Sequence, residues 1–389
     1  MPSKSPTVEV KPALLIWARE SVTATVDDVA ARLGISVETV KKWEAGEESP
    51  TLRELEALAS FCKRPVAVFF LAQPPHEDPL PNDFRTLPGK KALPLSRQSR
   101  IVVRRAMRLQ RLAGGLLSEM ALPTSPGTQP VSLLSSAEDV AHGERSRLGI
   151  TVEQQTRWRH NYEAFRAWRS ALERLNVFIF RFPMPVDEAR GFSLTDADPP
   201  VIVVNSSDII TARIFTLFHE YAHILLHAGG LCLHEEARIT EHLPIESFCN
   251  RFAGHFLVPR DSLLGDVRLR GCSEPAALTD ADLRAIASRF KVSRYVVWRR
   301  LSETLPIPKR AYWDRVERWL AVPLPPRKKV RAPSRAERCL RQRGRKFASL
   351  VFEAKGQNLV TYRDALDYLG VWPQDVGNIE TLLRGGRVK

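Results

Sequence analysis

The sequence predicts a mainly helical protein with a small β-sheet, an α+β fold, and three observations support this prediction. Apolar residues recur at helical spacing over much of the chain, most clearly between Ile210 and Leu225. Short runs rich in β-branched and aromatic residues interrupt this pattern at 176–180, 191–194 and 200–205. The length of 389 residues corresponds to two or three domains of ordinary size.

Four segments are expected along the chain. Residues 12–74 form a compact run of helices in this interpretation. Residues 75–149 form a linker and scaffold around one Arg-rich helix at about 95–120, because Pro and Ser clusters interrupt them. Strand and helix patterns mix in residues 150–302, whereas residues 303–389, broken by prolines, form a basic helical C-terminal region.

Two helical features are predicted within residues 150–302. Asp208 is expected to cap the helix that follows the last strand, and Gly229 and Gly230 are expected to end it. The stretch 282–301 has the rhythm of two short helices joined by a turn, without a glycine at the turn. We expect it to form a helical hairpin packed on its neighbouring domain.

Composition excludes several classes of protein. Hydrophobic residues make up 44% of the chain and charged residues 26%, as is ordinary for a globular protein. No run approaches twenty consecutive apolar residues, so a membrane-spanning helix is not expected. The N-terminus has no secretory signal pattern, and the five scattered cysteines form no CxxC pair. A cytoplasmic protein, in a reducing compartment, is the expectation.

The positive charge is localised in two runs. Lys and Arg number 58 against 44 acidic residues, a net charge of +14. Residues 97–111 carry six Arg and no acid, and residues 327–346 carry ten basic residues and one acid. Such runs indicate either a solvated face or a surface for a polyanion, with nucleic acid the first candidate.

The sequence VDDVAARLGISVETVKKWEAG, residues 26–46, has the spacing of a helix-turn-helix. Val29 and Ala30 precede Gly34, which permits a tight turn between two helices. Val40 and Trp43 follow at positions that bury one face of the second helix. The outward residues of that helix are then free to enter a major groove of DNA.

This segment resembles the Cro/repressor, or Xre-type, helix-turn-helix family over about sixty residues. The resemblance implies a double-stranded DNA operator as a partner, and a homodimer would match a two-fold operator. A plain helical hairpin without DNA contacts is the alternative. The residues that the resemblance places at DNA are Ser36, Glu38, Thr39, Lys41 and Lys42.

The sequence FHEYAHILLH contains a second functional pattern. His219 and His223 are four residues apart on a predicted helix, so both imidazoles lie on one face and can bind one metal ion. Glu220 then lies beside that ion, where its carboxylate can take a proton from water. The alternative is a helix with surface histidines, against which the apolar surroundings of the motif argue.

A third metal ligand must come from elsewhere in the sequence. The metzincin pattern is excluded, because Leu226 and Gly229 stand where it requires Gly and His. Glu246, followed one helical turn later by Asn250, resembles the gluzincin arrangement and is the favoured ligand. His227 points further along the helix. The rivals in the intervening loop are Glu235, Glu236, Glu241 and His242, whereas His234 and His255 are interpreted as surface or core residues.

The order GFSL, PVIVVN, ARIFTLFHEYAHILLH and ESFCNRFAGHFLVP is similar to that of the ImmA/IrrE family of zinc metallopeptidases. PLPNDFRTLP in the linker also resembles that class, and an N-terminal Xre-type domain is a familiar companion. Tyr221-Ala222 and Cys249-Asn250 depart from the family's usual residues without removing a ligand. Residues 305–389 are not covered, although their end resembles the tails of toxin–antitoxin regulators.

The resemblance implies a zincin-like metallopeptidase domain and a function. His219, His223 and Glu246 would hold Zn²⁺, and Glu220 would act as general base and then as acid. The strand at 201–205 would align an extended substrate by β-addition. The expected function is a DNA-binding transcriptional regulator that cleaves a specific regulatory protein, or itself. The alternative is an antitoxin or autorepressor whose zinc domain binds a toxin partner, encoded nearby, with little or no proteolysis.

Overall fold

A computed structural model confirms the α+β fold, with many helices and one small sheet. The chain divides into two compact units, Met1–Arg105 and Ala106–Lys389. The residues that the structure describes are 5–75, 95–227, 230–232 (backbone only), 244–269, 274–321 and 332–386.

The first unit is a small helical bundle. Its elements are α1 (Pro12–Glu20), α2 (Val26–Leu33), α3 (Val37–Ala45), α4 (Leu52–Cys62) and a 3₁₀ turn (Val66–Phe70). Leu14, Leu55 and Leu58 lie in the core that these helices share. A two-pronged ion pair between Arg19 and Glu44, at 2.7 and 2.9 Å, joins α1 to α3.

The predicted helix-turn-helix is formed by α2 and α3. Gly34 ends α2 with a φ of 70°, a left-handed conformation that glycine adopts without strain. The Ser36 hydroxyl accepts a hydrogen bond from the Thr39 backbone and thereby begins α3. Val40 and Trp43 are buried against the other helices, as predicted. The outer face of α3 is therefore left exposed.

The second unit contains the sheet and the remaining helices, with α5 beginning in the first unit. Its strands are β1 (Phe178–Phe182), β2 (Gly191–Leu194), β3 (Val201–Asn205) and β4 (Gly230–Cys232). The helices up to β4 are α5 (Arg97–Glu119), α6 (Ala137–Leu148), α7 (Val152–Arg157), α8 (Asn161–Arg174) and α9 (Ile210–Leu225). Those that follow are α10 (Pro244–Leu257), α11 (Arg260–Leu264), α12 (Asp280–Phe290), α13 (Arg294–Thr304), α14 (Lys309–Leu320), α15 (Arg335–Arg343), α16 (Arg345–Gly356), α17 (Tyr362–Leu369) and α18 (Val376–Leu383).

The sheet has the strand order β1-β3-β2-β4. β1 runs parallel to β3, and β2 runs antiparallel to both β3 and β4. Because β3 is paired on both edges and every one of its residues is buried, it has no free edge for a substrate strand. The expectation that residues 201–205 align a substrate by β-addition is therefore wrong.

Both faces of the sheet are covered. Ile202 and Val204 point towards the main core, which contains α8, α9 and α10. Phe178 and Phe180 lie on the opposite face, since side chains alternate along a strand. There the Phe347 ring of α16 contacts both, with ring centroids 6.4 and 5.6 Å away. The C-terminal helices thus complete the burial of the sheet.

Helix α9 begins and ends differently from the prediction. Its N-cap is Ile209, which makes no capping hydrogen bond, rather than Asp208. The Asp208 carboxylate instead accepts a hydrogen bond from the Ile209 backbone and forms an ion pair with Arg190. The helix ends at Leu225; Gly229 lies outside the described residues, and Gly230 begins β4.

Two further segments can be compared with their predicted structures, residues 137–148 and residues 282–301. Residues 137–148, expected to be linker or scaffold, form α6, which packs against α10. The sparse apolar residues of α6 give little periodic signal. The stretch 282–301 forms α12 and α13, whose side chains join the main core as predicted for a packed hairpin. Lys291 takes the left-handed position of the missing glycine, with a φ of 60°.

The arginines of α5 make contacts within the chain. Arg97 and Arg104 donate to the backbone oxygens of Phe61 and Cys62, at the C-terminal end of α4. Arg108, further along α5, forms an ion pair of 2.6 Å with Asp367 in the second unit. The basic run at 97–111 is therefore partly engaged in holding its own chain together rather than forming one solvated face.

Candidate metal centre and nucleic-acid interface

Two histidines meet on the buried helix α9. This helix is apolar around most of its circumference, and it packs against α8, α10 and β2. The spacing of four residues places His219 and His223 on one side, with their Nε2 atoms 3.2 Å apart. Both side chains are buried, with exposures of 0% and 2%.

Helix α10 brings a carboxylate to both rings. The Oε2 atom of Glu246 lies 3.1 Å from Nε2 of His219, and its Oε1 atom lies 3.2 Å from Nε2 of His223. Donors arranged as a tetrahedron around zinc, with bonds of about 2.0–2.1 Å, lie about 3.3–3.4 Å apart. The three side chains therefore form a group that is able to hold one metal ion, and the described residues contain no second group of this kind.

Neighbouring side chains orient the two imidazoles. The Nδ1 atom of His219 lies 3.1 Å from Oδ1 of Asn250. An amide oxygen only accepts hydrogen bonds, so Nδ1 carries a proton and Nε2, which faces Glu246, is the nitrogen available to a metal ion. The Cys249 thiol hydrogen-bonds to His223. Cys249 is a buried free thiol, next to Asn250 on α10.

The protonation of these groups is strongly coupled. Burial lowers the pKa of His219, but the Glu246 carboxylate outweighs burial and the net shift is upward. Burial likewise opposes protonation of His223, whereas Cys249 and Glu246 hold its pKa well above the ordinary value. Burial is the largest single influence on the pKa of Glu246 and raises it, but the two imidazoles together outweigh burial and the net shift is downward. Without a metal ion, positive charge on the rings is held by Glu246.

Glu220 lies in the same buried region but is not engaged by the histidines. Its side chain is fully buried, and neither carboxylate oxygen has a hydrogen-bond partner of ordinary geometry among the described residues. Burial raises its pKa to about 6, against the opposing effects of the two imidazoles and the Ser193 hydroxyl. A buried carboxylate without a partner is costly and is characteristic of functional sites.

A glycine on β2 allows α9 to approach the sheet at this point. A Cβ atom on Gly191 would lie 2.5 Å from Cγ2 of Thr216 and 2.7 Å from the Val203 carbonyl oxygen. It would also lie 3.7 Å from the Cγ atom of Glu220. Gly191 thus sets the distance between the helix that carries the two histidines and strand β2.

One anchor of α9 was not predicted from the sequence. The Tyr221 hydroxyl donates a 2.6 Å hydrogen bond to the buried Glu144 carboxylate on α6. Glu144 also contacts Arg147 at 3.3 Å. No local pattern marks Glu144, because an acidic residue on a largely polar helix looks like a surface residue.

Of the other sequence-predicted candidates, the two that the structure describes, His227 and His255, do not join the group. His227 lies beyond the end of α9 with a φ of 49°, and its side chain is exposed. His255 is on α10, nine residues beyond Glu246, where its ring lies near Glu138 and Arg300. The candidates that lie outside the described residues are His234, Glu235, Glu236, Glu241 and His242.

The residues predicted at DNA surround the start and the outer face of α3. Glu38 and Lys41 are exposed, and Thr39 is half-buried. Ser36 is exposed but also caps α3, so its hydroxyl has a structural role. Lys42 forms an ion pair of 2.7 Å with Glu48, which partly neutralises it. Lys41 forms no ion pair within the part of the chain that the structure describes, so of the two lysines it is the better candidate for a phosphate contact.

Comparison with known protein families identifies two domains in the chain. Residues 15–69 match the helix-turn-helix family model, and residues 172–302 match a peptidase family model described as an IrrE N-terminal-like domain. The chain combines these two domains. The segment that matches the IrrE N-terminal-like domain contains the two histidines, Glu220 and Glu246, and it ends within α13.

The resemblance to an Xre-type domain joined to an ImmA/IrrE-type domain is thereby confirmed. The helix-turn-helix domain supports DNA binding, and the IrrE N-terminal-like domain is of a metallopeptidase type. No curated protein matches the sequence. Among the described residues, no helix has the length and apolar character needed to cross a membrane.

Proposed function

We propose that this protein is a DNA-binding transcriptional regulator whose IrrE N-terminal-like domain is a zinc-dependent endopeptidase. Its substrate would be one specific regulatory protein or the chain itself. The observation that carries the proposal is Glu220, a fully buried carboxylate near two histidines and Glu246 whose oxygens have no hydrogen-bond partner of ordinary geometry among the described residues. A group that only held a metal ion for structure would not need this additional carboxylate.

The donor set fits zinc. Two imidazoles and one carboxylate are the ligands of known catalytic zinc sites, which keep one position open. His219, His223 and Glu246 would hold the ion, with Asn250 fixing the tautomer of His219. When bound, zinc would supply a Lewis acid that makes water more acidic and polarises the scissile carbonyl.

Glu220 would move the protons of peptide hydrolysis. Its pKa of about 6 in the metal-free protein leaves it mostly ionised at neutral pH, and a bound cation would favour the ionised form further, so it can accept a proton from the attacking water. The same raised pKa lets it retain the accepted proton until the leaving amine takes it, whereas an ordinary glutamate would lose that proton to solvent more readily. Because the carboxylate is buried, bulk water does not compete for its hydrogen bonds.

The helix-turn-helix domain would direct the protein to its genes. In the proposal, Ser36, Glu38, Thr39, Lys41 and Lys42 line the contact with a double-stranded operator. A homodimer would place two copies of α3 on two-fold half-sites. A chromosomal operator would require the protein to be in the cytoplasm, where the cleaved regulator would be found.

Co-expression with the protein encoded next to this chain tests the proposal. Wild type, Glu220→Gln and Glu119→Gln would each be produced with that partner, and all chains would be analysed by intact mass. Glu119 is an exposed residue on α5, so its variant controls for the loss of one carboxylate. We expect one defined fragment with wild type and Glu119→Gln, and none with Glu220→Gln.

The same experiment separates the proposal from the alternative function. The partner could co-purify intact with all three proteins, and no fragment of either chain would then form. That result would contradict the peptidase proposal and favour an antitoxin or autorepressor that binds a toxin. Cleavage that survives in Glu220→Gln would instead show that another group is the base.

A further inference from the structure

Two exposed aromatic rings lie on the C-terminal helices of the second unit. Trp372, in the turn between α17 and α18, is 61% exposed, and Tyr362, at the start of α17, is 44% exposed. Large aromatic side chains that remain at the surface of a folded protein often mark an interaction site. Neither ring belongs to the candidate metal centre or to the helix-turn-helix domain.

Measured contacts join these rings to each other and to two cations. The guanidinium carbon of Arg335 on α15 lies 5.8 Å from the centre of the Trp372 ring. The Tyr362 hydroxyl donates a 3.4 Å hydrogen bond to the carbonyl oxygen of Pro373, the residue after Trp372. The Nζ atom of Lys355 on α16 lies 5.2 Å from the centre of the Tyr362 ring. Each ring therefore has a cation beside it, and the two rings are neighbours on one surface.

A carboxylate fixes the position of Trp372. The Trp372 backbone nitrogen donates a 3.1 Å hydrogen bond to Oδ2 of Asp375, and the same oxygen lies 3.8 Å from Nη1 of Arg335. The turn that carries the ring is thereby held against α15. A ring that is already held in place loses little conformational freedom when a ligand stacks on it.

Arg338 extends the positive charge along α15. It is exposed, and within residues 332–386 and the other described ranges its side chain forms no ion pair. Arg335 and Arg338 are three residues apart, so they are neighbours on one face of the helix. Both belong to the basic run of residues 327–346, which contains ten basic residues and one acid. Exposed rings beside such cations fit a polyanion that carries flat rings of its own.

We propose that this surface binds single-stranded nucleic acid. Bases stack on Trp372 and Tyr362 in this arrangement. Backbone phosphates contact Arg335, Arg338 and Lys355. An unpaired strand fits better than a duplex, because the bases of a duplex are stacked on one another and do not offer their faces to a protein ring. The surface lies outside both segments that match a family model, so this binding is additional to the proposed functions of those domains.

Fluorescence anisotropy of a labelled DNA strand of about twelve nucleotides, titrated with the full-length protein, tests the surface. Trp372→Ala should bind about 5- to 100-fold more weakly than wild type, the usual effect of losing one base stack. Trp372→Phe keeps a ring and should recover most of the affinity. Both variants keep the turn, since the backbone nitrogen makes the hydrogen bond to Asp375. Tyr162→Ala, which removes an exposed ring from α8, should bind like wild type.

Two further measurements separate stacking from attraction between charges. An abasic strand of the same length has the phosphates without the bases, so wild type and Trp372→Ala should bind it equally. Arg338→Ala should lower the slope of log K against log salt by about 0.7, the value for one phosphate contact of a single strand. Arg310→Ala on α14 is the control and should leave the slope unchanged, because its side chain is 94% exposed outside this surface.

An RNA strand of the same sequence and a DNA duplex identify the form of the nucleic acid. Tighter binding of RNA than of DNA, with the same dependence on Trp372, would assign the surface to RNA, and the reverse order would assign it to DNA. Lys41→Ala in the helix-turn-helix domain should bind either strand like wild type. The proposal would be overturned if neither strand bound, or if Trp372→Ala and Tyr162→Ala bound both strands equally. A duplex that bound as tightly as the strand, with the same dependence on Trp372, would also overturn it.

Discussion

Oδ1 of Asn250 lies 3.1 Å from Nδ1 of His219. Asn250 follows Glu246 by one helical turn on α10. A single helix therefore supplies a carboxylate to the candidate metal centre and also fixes the ring orientation of a ligand on α9. Such outer contacts preserve the tautomer in which Nε2 faces the ion.

Asn250→Leu should weaken metal binding because it removes the oxygen that accepts a hydrogen bond from Nδ1 of His219. The side-chain volume stays similar, so the packing around α10 should be preserved. We expect affinity for zinc to fall about 10–100-fold, as is usual for loss of an outer hydrogen bond. Competition with a chromophoric chelator measures the change. Asn250→Asp retains the acceptor and should remain close to wild type; equal affinities for Asn250→Leu and wild type would show that the contact has no such role.

Glu246→Ala should lower metal affinity more than Asn250→Leu does. It removes a proposed metal ligand, whereas Asn250→Leu removes only a hydrogen bond to a ligand. Metal content after dialysis should fall well below that of Asn250→Leu, and elemental analysis measures it. The matched control replaces both Glu235 and Glu236 by Ala, which should leave the content unchanged. Unchanged zinc in Glu246→Ala would move the third ligand to residues 234–242.

The melting temperature of the metal-free protein should fall as pH rises, whereas that of the metal-bound protein should increase. The raised pKa values of His219 and His223 mean that the folded state binds more protons than the unfolded chain. Their stabilisation is fully present below the ordinary histidine value of about 6.5 and is lost as pH rises through the raised values. The chelator-treated protein should therefore melt lower at pH 8.5 than at pH 6.

Zinc should reverse this trend, because it binds neutral imidazoles and so competes with protons. Circular dichroism melts between pH 5 and pH 9, with and without zinc, measure both slopes. Glu246→Gln without metal isolates the contribution of the site, since its histidines lose the carboxylate that raises their pKa values. A metal-free slope as large in Glu246→Gln as in wild type would contradict the assignment.

Gly191→Ala should destabilise the second unit. The new methyl group would lie 2.5 Å from Cγ2 of Thr216, so α9 and β2 must move apart. We expect a cost of about 1–3 kcal/mol, measured by urea unfolding. Gly143→Ala is the control, because nothing lies within 4 Å of a Cβ there and alanine favours a helix by about 1 kcal/mol. Equal stability of the two variants would contradict the close approach.

Lys41→Ala and Lys42→Ala should differ in their effects on operator binding. Loss of one phosphate contact lowers the slope of log K against log salt by about 1. We expect this change for the exposed Lys41 and a smaller one for Lys42, which is paired with Glu48 at 2.7 Å. Gel-shift titrations at several salt concentrations measure the slopes, with Lys63→Ala as control. Unaltered binding by both variants would place the DNA contact elsewhere.

Local patterns predicted much of this protein. Gly34 and the buried residues around it define the helix-turn-helix, because the turn and both helices depend on residues close in sequence. The three strands of 176–205 were recognised for the same reason. His219 and His223 lie four residues apart on a single helix, so their spacing alone predicts that they meet.

Features that depend on distant segments were not predicted. β3 lies between β1 and β2, and no local pattern states which strand has a free edge. Glu144 reaches Tyr221 across 77 residues of sequence, and α6 carries few apolar residues. The Asp208 carboxylate forms an ion pair with Arg190 instead of capping α9. This contact depends on a residue 18 positions earlier in the sequence.

The contact of Phe347 with Phe178 and Phe180 shows that the folded unit extends beyond the segment that matches the family model. The match to the IrrE N-terminal-like domain ends at residue 302, yet an aromatic row of its first strand is covered by a residue 45 positions later. A fragment that stops at the homology boundary would present that row to water and would be prone to self-association. The smallest unit suitable for enzymology must therefore retain the C-terminal helices, whatever their own role in the cell.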